Sequence, residues 1–168
     1  MIAKISGVTF NPPRTTGQTT AYASSTAERV VNSVIMPGGS FLAGDHLGID
    51  SRVIKSGANG TVTVRIRIGT VANTSQTLVA TYTSTSSAHT YVPIMRRLLL
   101  NNLTNSTYVF TAATSNSWDY AGPSLGWQNL TTINWASDQY IIITTQCASA
   151  SDTIYCPYII TDIQTVLK

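Results

Sequence analysis

The sequence predicts an all-β chain: an antiparallel β-sandwich, jelly-roll-like, preceded by an extended N-terminal arm. Three observations carry this expectation. Short runs of alternating apolar and polar residues follow one another between clusters of Gly, Pro, Asn and Ser, as strands and turns at close spacing do. The three-and-four spacing of a helical face is nearly absent. Serine and threonine supply roughly a quarter of the 168 residues, far above average usage, and threonine suits a pleated surface better than a helix. Charged residues are only 10% of the chain, against about 25% in an average soluble domain, so the polar surface is mostly hydroxyl and amide. One domain of this length buries roughly 70% of its unfolded surface.

Taken in order, residues 1–28, "MIAKISGVTFNPPRTTGQTTAYASSTAE", show little periodicity and a Pro12-Pro13 break. They read as an extended arm, and a segment of this composition needs a surface to hold it down. The sandwich domain is expected over residues 29–168. "RVVNSVIM" stops at Pro37-Gly38-Gly39, "QTLVATYTS" stops in a Ser/Thr cluster, and "TYVPIMRRLLL" stops at Asn101-Asn102. "STYVFTAAT" leads into a Gly/Pro-punctuated loop from Ser115 to Gln128, and "LTTINW", "QYIIITTQC" and "TIYCPYIITDIQTVL" complete the chain. "IMRRLLLNNL" has some helical character, but it follows Pro93 between strand-like runs and is read as a strand.

"HLGIDSRVIKSGANGTVTVRIRIG" reads as a hairpin. With a loop at Ser56–Asn59, Val53 faces Val62, Ile49 faces Ile66 and Leu47 faces Ile68. All the apolar residues then share one face. The other face carries Arg52, Arg67 and an Asp50–Arg65 cross-strand ion pair. Three further runs, "YVPIMRRLLL", "YIIITTQ" and "IYCPYIITDI", are apolar on both faces. In an antiparallel sandwich one face normally meets water, so the second apolar face is covered by the arm or by another subunit. Pro93 and Pro157 within these runs mark edge positions or bulges.

Most chemical functions lack the residues they need. Ten basic against seven acidic residues give a net charge of +3, too small to indicate nucleic acid or an anionic membrane. The arginines of the expected hairpin enclose Asp50 and have no interleaved aromatic platform for bases. Glycan hydrolysis normally uses two carboxylates across a cleft, and here Glu28 and the aspartates are scattered singly. His46 and His89 are the histidines, too few with two cysteines to make a zinc site or a base-activated nucleophile. "MPGGS" and "SGANG" lack the lysine and helix of a phosphate loop. Lone aspartates such as that in "SASD" read as turn formers. No enzyme activity, cofactor or metal is expected. The N-terminus lacks a signal-peptide core and no apolar run approaches the roughly 18 residues of a membrane span, so no membrane insertion is expected. Sequons at Asn59, Asn73, Asn102, Asn105 and Asn129 read as a by-product of an Asn/Ser/Thr-rich composition. Cys147 and Cys156 flank the last expected hairpin on opposite faces. They are free thiols unless a bulge brings them together.

The residues best suited to recognition are Trp118, Asp119, Tyr120, Trp127 and Trp135, within "NSWDYAGPSLGWQNLTTINW". Sugar C–H faces stack on aromatic rings while carboxylates and amides take the hydroxyls. The alternative is that Trp118 and Trp127 plug the end of the sandwich and Trp135 belongs to the core.

The segments "LGIDSRVIKSGANGTVTVRIRIGT", "TLVATYT" and "INWASDQYIIITTQCASASDTIYCPYIITDI" resemble the small β-sandwich virion structural proteins of tailed bacteriophages. These occur in tail fibres, receptor-binding tips, head fibres and capsid decoration proteins. The resemblance spans most of residues 28–165 and carries no catalytic motif. It implies a homotrimer in the virion, assembled in the host cytoplasm. Residues 1–28 would be the segment that attaches to other virion proteins, and the aromatic loop a contact for a host cell-surface glycan. It equally implies a decoration or head-fibre role without a ligand. A free-standing carbohydrate-binding module is a further alternative.

Overall fold

The computed structural model describes residues 14–16, 22–23, 26–84, 87–88, 90–102, 106–112, 125–130 and 133–164. The described residues are all β, with no helix. Eleven strands form: β1 (Arg14–Thr16), β2 (Tyr22–Ala23), β3 (Arg29–Met36), β4 (His46–Ser56), β5 (Val62–Gly69), β6 (Thr77–Thr83), β7 (Tyr91–Asn102), β8 (Ser106–Ala112), β9 (Leu125–Leu130), β10 (Gln139–Cys147) and β11 (Thr153–Gln164). They make two antiparallel sheets. Sheet A has the order β1-β11-β4-β7-β8-β9, with β2 also paired to β11, and sheet B has the order β3-β10-β5-β6.

The pairing is nested. β5 pairs β6, β4 pairs β7, β3 pairs β10, and β1 pairs β11. A long antiparallel ribbon folded in this way and rolled so that alternate pairs fall in opposite sheets is a jelly roll. The β8–β9 hairpin is an insertion between β7 and β10 that extends sheet A beyond β7. Both sheets turn apolar side chains inward. β5 contributes Val62, Val64, Ile66 and Ile68, β4 contributes Leu47, Ile49 and Val53, and β10 contributes Ile141 and Ile143. β7 adds Val92, Ile94, Leu98 and Leu100. Each of these buried side chains contributes about 1.5–3 kcal/mol relative to exposure.

The expected β4–β5 hairpin does not form. β4 lies in sheet A between β11 and β7, and β5 lies in sheet B between β10 and β6. Leu47, Ile49 and Val53 therefore meet the β5 valines and isoleucines across the core rather than beside them. Alternation fixes which residues face inward, and a hairpin and an arch between sheets satisfy that pattern equally. The longer apolar strands β7, β10 and β11 outcompete the hairpin for the pairing edges of β4 and β5. Asp50 and Arg65 consequently sit on opposite outer faces and form no ion pair. β10 and β11 are likewise in opposite sheets, and Cys147 and Cys156 are both buried free thiols. Most other strand expectations coincide with β3, β6, β7, β8, β10 and β11. "LTTINW" is not the strand expected: β9 ends at Leu130, and residues 133–135 are not in a strand. β9 instead occupies Leu125–Leu130, which begins inside the loop expected over Ser115–Gln128. Pro157 sits where the β11–β4 register shifts, as a bulge proline does. Pro93 lies on the part of β7 that β8 does not pair, so its missing N–H costs no ladder bond.

Parts of the N-terminal arm belong to the roll. Arg14, Thr15 and Thr16 pair with Ile160, Ile159 and Tyr158, and Tyr22 and Ala23 pair with Ile154 and Thr153. β1 is thus the outermost member of the nested pairs. The remainder of the expected attachment segment (1–13, 17–21 and 24–25) lies outside the described residues.

Lys55 joins the crossovers at one end of the sandwich. It sits at an inward position, 1% exposed. Its Nζ donates to the carbonyls of Gly57 and Ser87, both at 2.7 Å, and to Asp152 Oδ2 at 3.0 Å. All three ammonium protons are therefore used. Asp152, also 1% exposed, accepts from Asn59 Nδ2 at 2.7 Å, from Asn59 N at 3.2 Å and from Gly60 N at 3.2 Å. Burial pushes the Asp152 carboxyl up. Hydrogen bonds from Lys55 and Asn59, with the lysine charge, more than reverse that, so its pKa falls below the ordinary 3.8. The β4–β5 arch also runs tight against the β10–β11 turn. A Cβ at Gly60 would stand 2.6 Å from Ser149 N, and Gly57 has a φ of 83°.

Breaking one partner of a satisfied buried pair strands the other charge in the interior. Asp152→Ala should therefore lower stability by about 3–5 kcal/mol in urea unfolding. Lys55→Met combined with Asp152→Leu should cost at least as much as Asp152→Ala alone, because the Gly57 and Ser87 carbonyls and the Asn59 and Gly60 amides all lose their partners. A double variant as stable as the parent would mean that the pair does not anchor the crossovers.

Candidate functional site

The five residues expected to form an aromatic recognition loop do not come together as a set. Trp118, Asp119 and Tyr120 lie outside the described residues. Trp127 is on β9, where its backbone partner is Phe110 on β8. Residues 113–124 connect those two paired strands, so Trp118, Asp119 and Tyr120 belong to the inserted hairpin. Trp135 does not. It is 1% exposed in the core, with its ring edge-on to Phe41 at a centroid distance of 4.8 Å and an interplanar angle of 71°. Its carbonyl accepts from Gly39 N at 2.9 Å. A ring enclosed in this way cannot stack on a sugar, and Trp135 leaves the ligand set.

The outward face of sheet A forms a recognition-type surface among the described residues. Register places its side chains in rows across three strands. Tyr91, Ile54 and Tyr155 form one row, Pro93, Arg52 and Tyr158 the next, and Met95, Asp50 and Ile160 the third. Arg97, Gly48 and Asp162 end the ladder. Strands lie about 4.8 Å apart, so members of a row touch laterally. Tyr91 and Met95 are 52% and 54% exposed. Ile54, Pro93, Tyr155, Tyr158 and Ile160 are half-buried by their neighbours. The second apolar face expected for the "YVPIMRRLLL" and "IYCPYIITDI" runs is thus real, and no described segment lies over it.

Besides Arg97 and Asp162 in its end row, this face carries two charges among its apolar rows. The Arg52 guanidinium lies 5.0 Å from the centroid of the Tyr91 ring, a cation–π contact on the side away from Met95. Asp50 stands between Met95 and Ile160, half-buried, with no hydrogen bond or ion pair to another described residue. Burial raises its carboxyl pKa above the ordinary 3.8, and the charge of Arg52 only partly offsets that.

The outer face of sheet B satisfies its own charges. Glu28 accepts from Arg67 Nε at 2.7 Å and Arg67 Nη2 at 3.0 Å, a bidentate pair, while Arg65 Nη1 lies 3.4 Å from its Oε2. Thr144 donates to the same carboxylate, and Arg65 Nη2 also donates to Gln146 at 3.2 Å. Burial works against ionisation of Glu28. The bonds from Arg67 and Thr144 and the two guanidinium charges outweigh it, leaving the pKa below the ordinary 4.5. Sequence reasoning gave Arg65 the wrong partner because it placed Arg65 in one sheet with Asp50. Glu28, at the end of the expected arm, was treated only as an isolated carboxylate.

Groups suited to covalent chemistry are sparse here. No cluster of three or more His, Cys, Asp or Glu able to hold a metal occurs among the described residues. His46 stands opposite Leu99 and Gln164, and His89 lies outside the described residues. Burial pushes the Cys156 thiol up, and its Sγ donates to the Tyr158 carbonyl at 3.4 Å, so it is a poor nucleophile. The surface can exclude water against a flat partner and offer Arg52 and Asp50, among its apolar rows, for registration.

No protein-family model, curated protein or solved structure matches the chain.

Two expectations follow from this geometry. Trp135→Ala should cost about 3–5 kcal/mol of stability, as for other buried aromatics, with Trp135→Phe retaining part of it. Chemical denaturation checks both, and an Ala variant as stable as the parent would contradict the core placement. Glu28 has a depressed pKa, so its contribution is present above about pH 4.5 and is lost as pH falls through the folded value. Glu28→Gln should therefore flatten the acid limb of a stability-against-pH curve. An unchanged acid limb would show that the Arg65–Glu28–Arg67 cluster does not contribute.

Proposed function

We propose that this protein is a structural component of a bacteriophage virion. In this reading it is a trimeric β-sandwich knob or fibre domain, assembled in the host cytoplasm. It docks on other virion proteins through residues 1–28 and contacts the host surface. The observation that carries the reading is the outward ladder of sheet A. A jelly roll that closes its core and neutralises the outer face of sheet B still leaves a contiguous apolar and aromatic face on sheet A. Such a face marks a surface made to be covered, and multi-copy assembly covers it. Two features agree with the reading. The first strand of the roll comes from the proposed attachment segment, which would couple docking to the fold. The inserted hairpin bears Trp127, and its connection bears Trp118, Asp119 and Tyr120. That is where a host glycan would bind.

The burial of Trp135 favours a second form of the same reading. With one ring removed from the recognition set, a capsid decoration or head-fibre role without any ligand becomes more plausible. In both forms the chain acts by binding, without cofactor, metal or nucleic acid. No helix among the described residues is long and apolar enough to cross a membrane.

Antibody against the chain should detect it in intact particles banded on a density gradient. Detection only in the soluble fraction of a phage lysate would end the virion reading. A glycan array separates the two forms. In the knob form the protein binds at least one glycan class, and Trp118→Ala or Trp127→Ala weakens that binding roughly 10-fold or more, as loss of a stacking ring does. Absence of any glycan signal would leave the decoration form.

A further inference from the structure

We infer that the outward face of sheet A is where copies of this chain meet, and that Arg52 of one copy pairs with Asp50 of the next. The inference rests on the proposed assembly role and specifies the surface and the contact that it uses.

The argument starts from Asp50. A half-buried carboxylate between Met95 and Ile160 is an unfavourable arrangement in an isolated protomer, because apolar neighbours desolvate it without replacing water's hydrogen bonds. Arg52 is two residues along the same strand and on the same face, close enough to be the natural partner. It turns the other way, over Tyr91. The face therefore holds an unpaired anion and an exposed cation, separated by one step of the ladder, within an apolar field.

A second copy supplies what is missing. Under a two-fold axis that lies in the interface plane, perpendicular to β4 and midway between Asp50 and Arg52, each arginine lies over the other copy's aspartate. Around a three-fold axis, each arginine reaches the next copy's aspartate in turn. Either arrangement lays Met95, Tyr91, Tyr155 and Tyr158 against apolar surface while neutralising both charges. A flat aromatic face could also take a polysaccharide. The aliphatic groups that fill the rows between the rings, Ile54, Pro93, Met95 and Ile160, suit a protein surface better.

Sedimentation equilibrium of the full chain tests this. The parent should self-associate at micromolar concentration. Asp50→Arg alone and Arg52→Asp alone should each weaken association roughly 30-fold or more, the lower bound for disrupting one member of a buried interfacial pair. The reciprocal double variant, Asp50→Arg with Arg52→Asp, should recover most of it. Recovery cannot be explained by a folding defect in the single variants. Leu78→Ser is the control: Leu78 is 44% exposed on β6, in the other sheet, and the variant should associate as the parent does. A monomeric parent would overturn the inference. So would an oligomer indifferent to the single variants, a double variant as weak as the singles, or a loss that follows Leu78 instead of Arg52. A monomer that binds a polysaccharide, with binding lost in Met95→Glu, would overturn it in favour of a glycan platform. A dimer supports this surface while removing the trimeric form of the proposed function. Particle banding tests the virion reading separately, so the two can fail independently.

Discussion

Lys55 places a full positive charge where water does not reach, and the jelly roll depends on how completely that charge is answered. A jelly roll must carry the chain repeatedly from one sheet to the other, and each crossover leaves backbone groups that no ladder satisfies. At this end of the sandwich three crossovers converge: the β4–β5 arch, the β6–β7 connection and the β10–β11 turn. Lys55 bonds to a carbonyl in each of the first two and to a carboxylate in the third. Asp152 in turn takes the amides of the first. The pair is better understood as a fastening for backbone than as a source of Coulomb energy. A buried ion pair alone contributes little net stability.

The two outer faces illustrate opposite solutions to one problem. On sheet B, Glu28 gathers Arg65, Arg67 and Thr144 around one carboxylate within one chain. On sheet A, Arg52 is spent on Tyr91, and Asp50 stands between the apolar side chains of Met95 and Ile160 with no ion pair to a described residue. Both faces belong to one composition, with few charges and many hydroxyls. The functional reading grows from this difference between them. Among the described residues, neither face brings together a set of metal ligands.

What the sequence reveals and what it conceals follow from the range of each signal. Side-chain alternation is local, and it correctly assigns Val62, Val64, Ile66 and Ile68 to the core and marks the strand-like runs. It also flags three doubly apolar runs, of which β7 and β11 flank β4 in the outward ladder while β10 lies in sheet B. Pairing partners are non-local. Nothing within "SRVIKSGANGTVTV" distinguishes a hairpin from an arch, because the deciding edges lie on β7 and β11, far along the chain. Lys55 illustrates the same limit. Alternation sets it inward, which looks like an error until Asp152, ninety-seven positions away, is brought beside it. Trp135 was legible as core on one of two readings, and Phe41 decides the matter. The inserted hairpin was legible in part. β8 was expected, whereas β9 begins inside the expected loop, because a glycine such as Gly126 weakens a strand signal even where backbone pairing holds it.

The nested pairing also dictates an order of events during synthesis. β5 and β6 are close in sequence and can pair as soon as both have emerged. Each outer pair must wait for a strand made later, and β1 waits for β11, the last of all. Until β11 arrives, β4 has an open edge, Lys55 has no carboxylate and the first strand of the roll has nothing to join. Such long-range closure is intrinsically slow. The nascent chain therefore spends its longest interval with unpaired edges and exposed apolar strands, the state in which neighbouring copies can exchange segments or aggregate. A sequence poor in charge has little electrostatic repulsion with which to keep such intermediates apart.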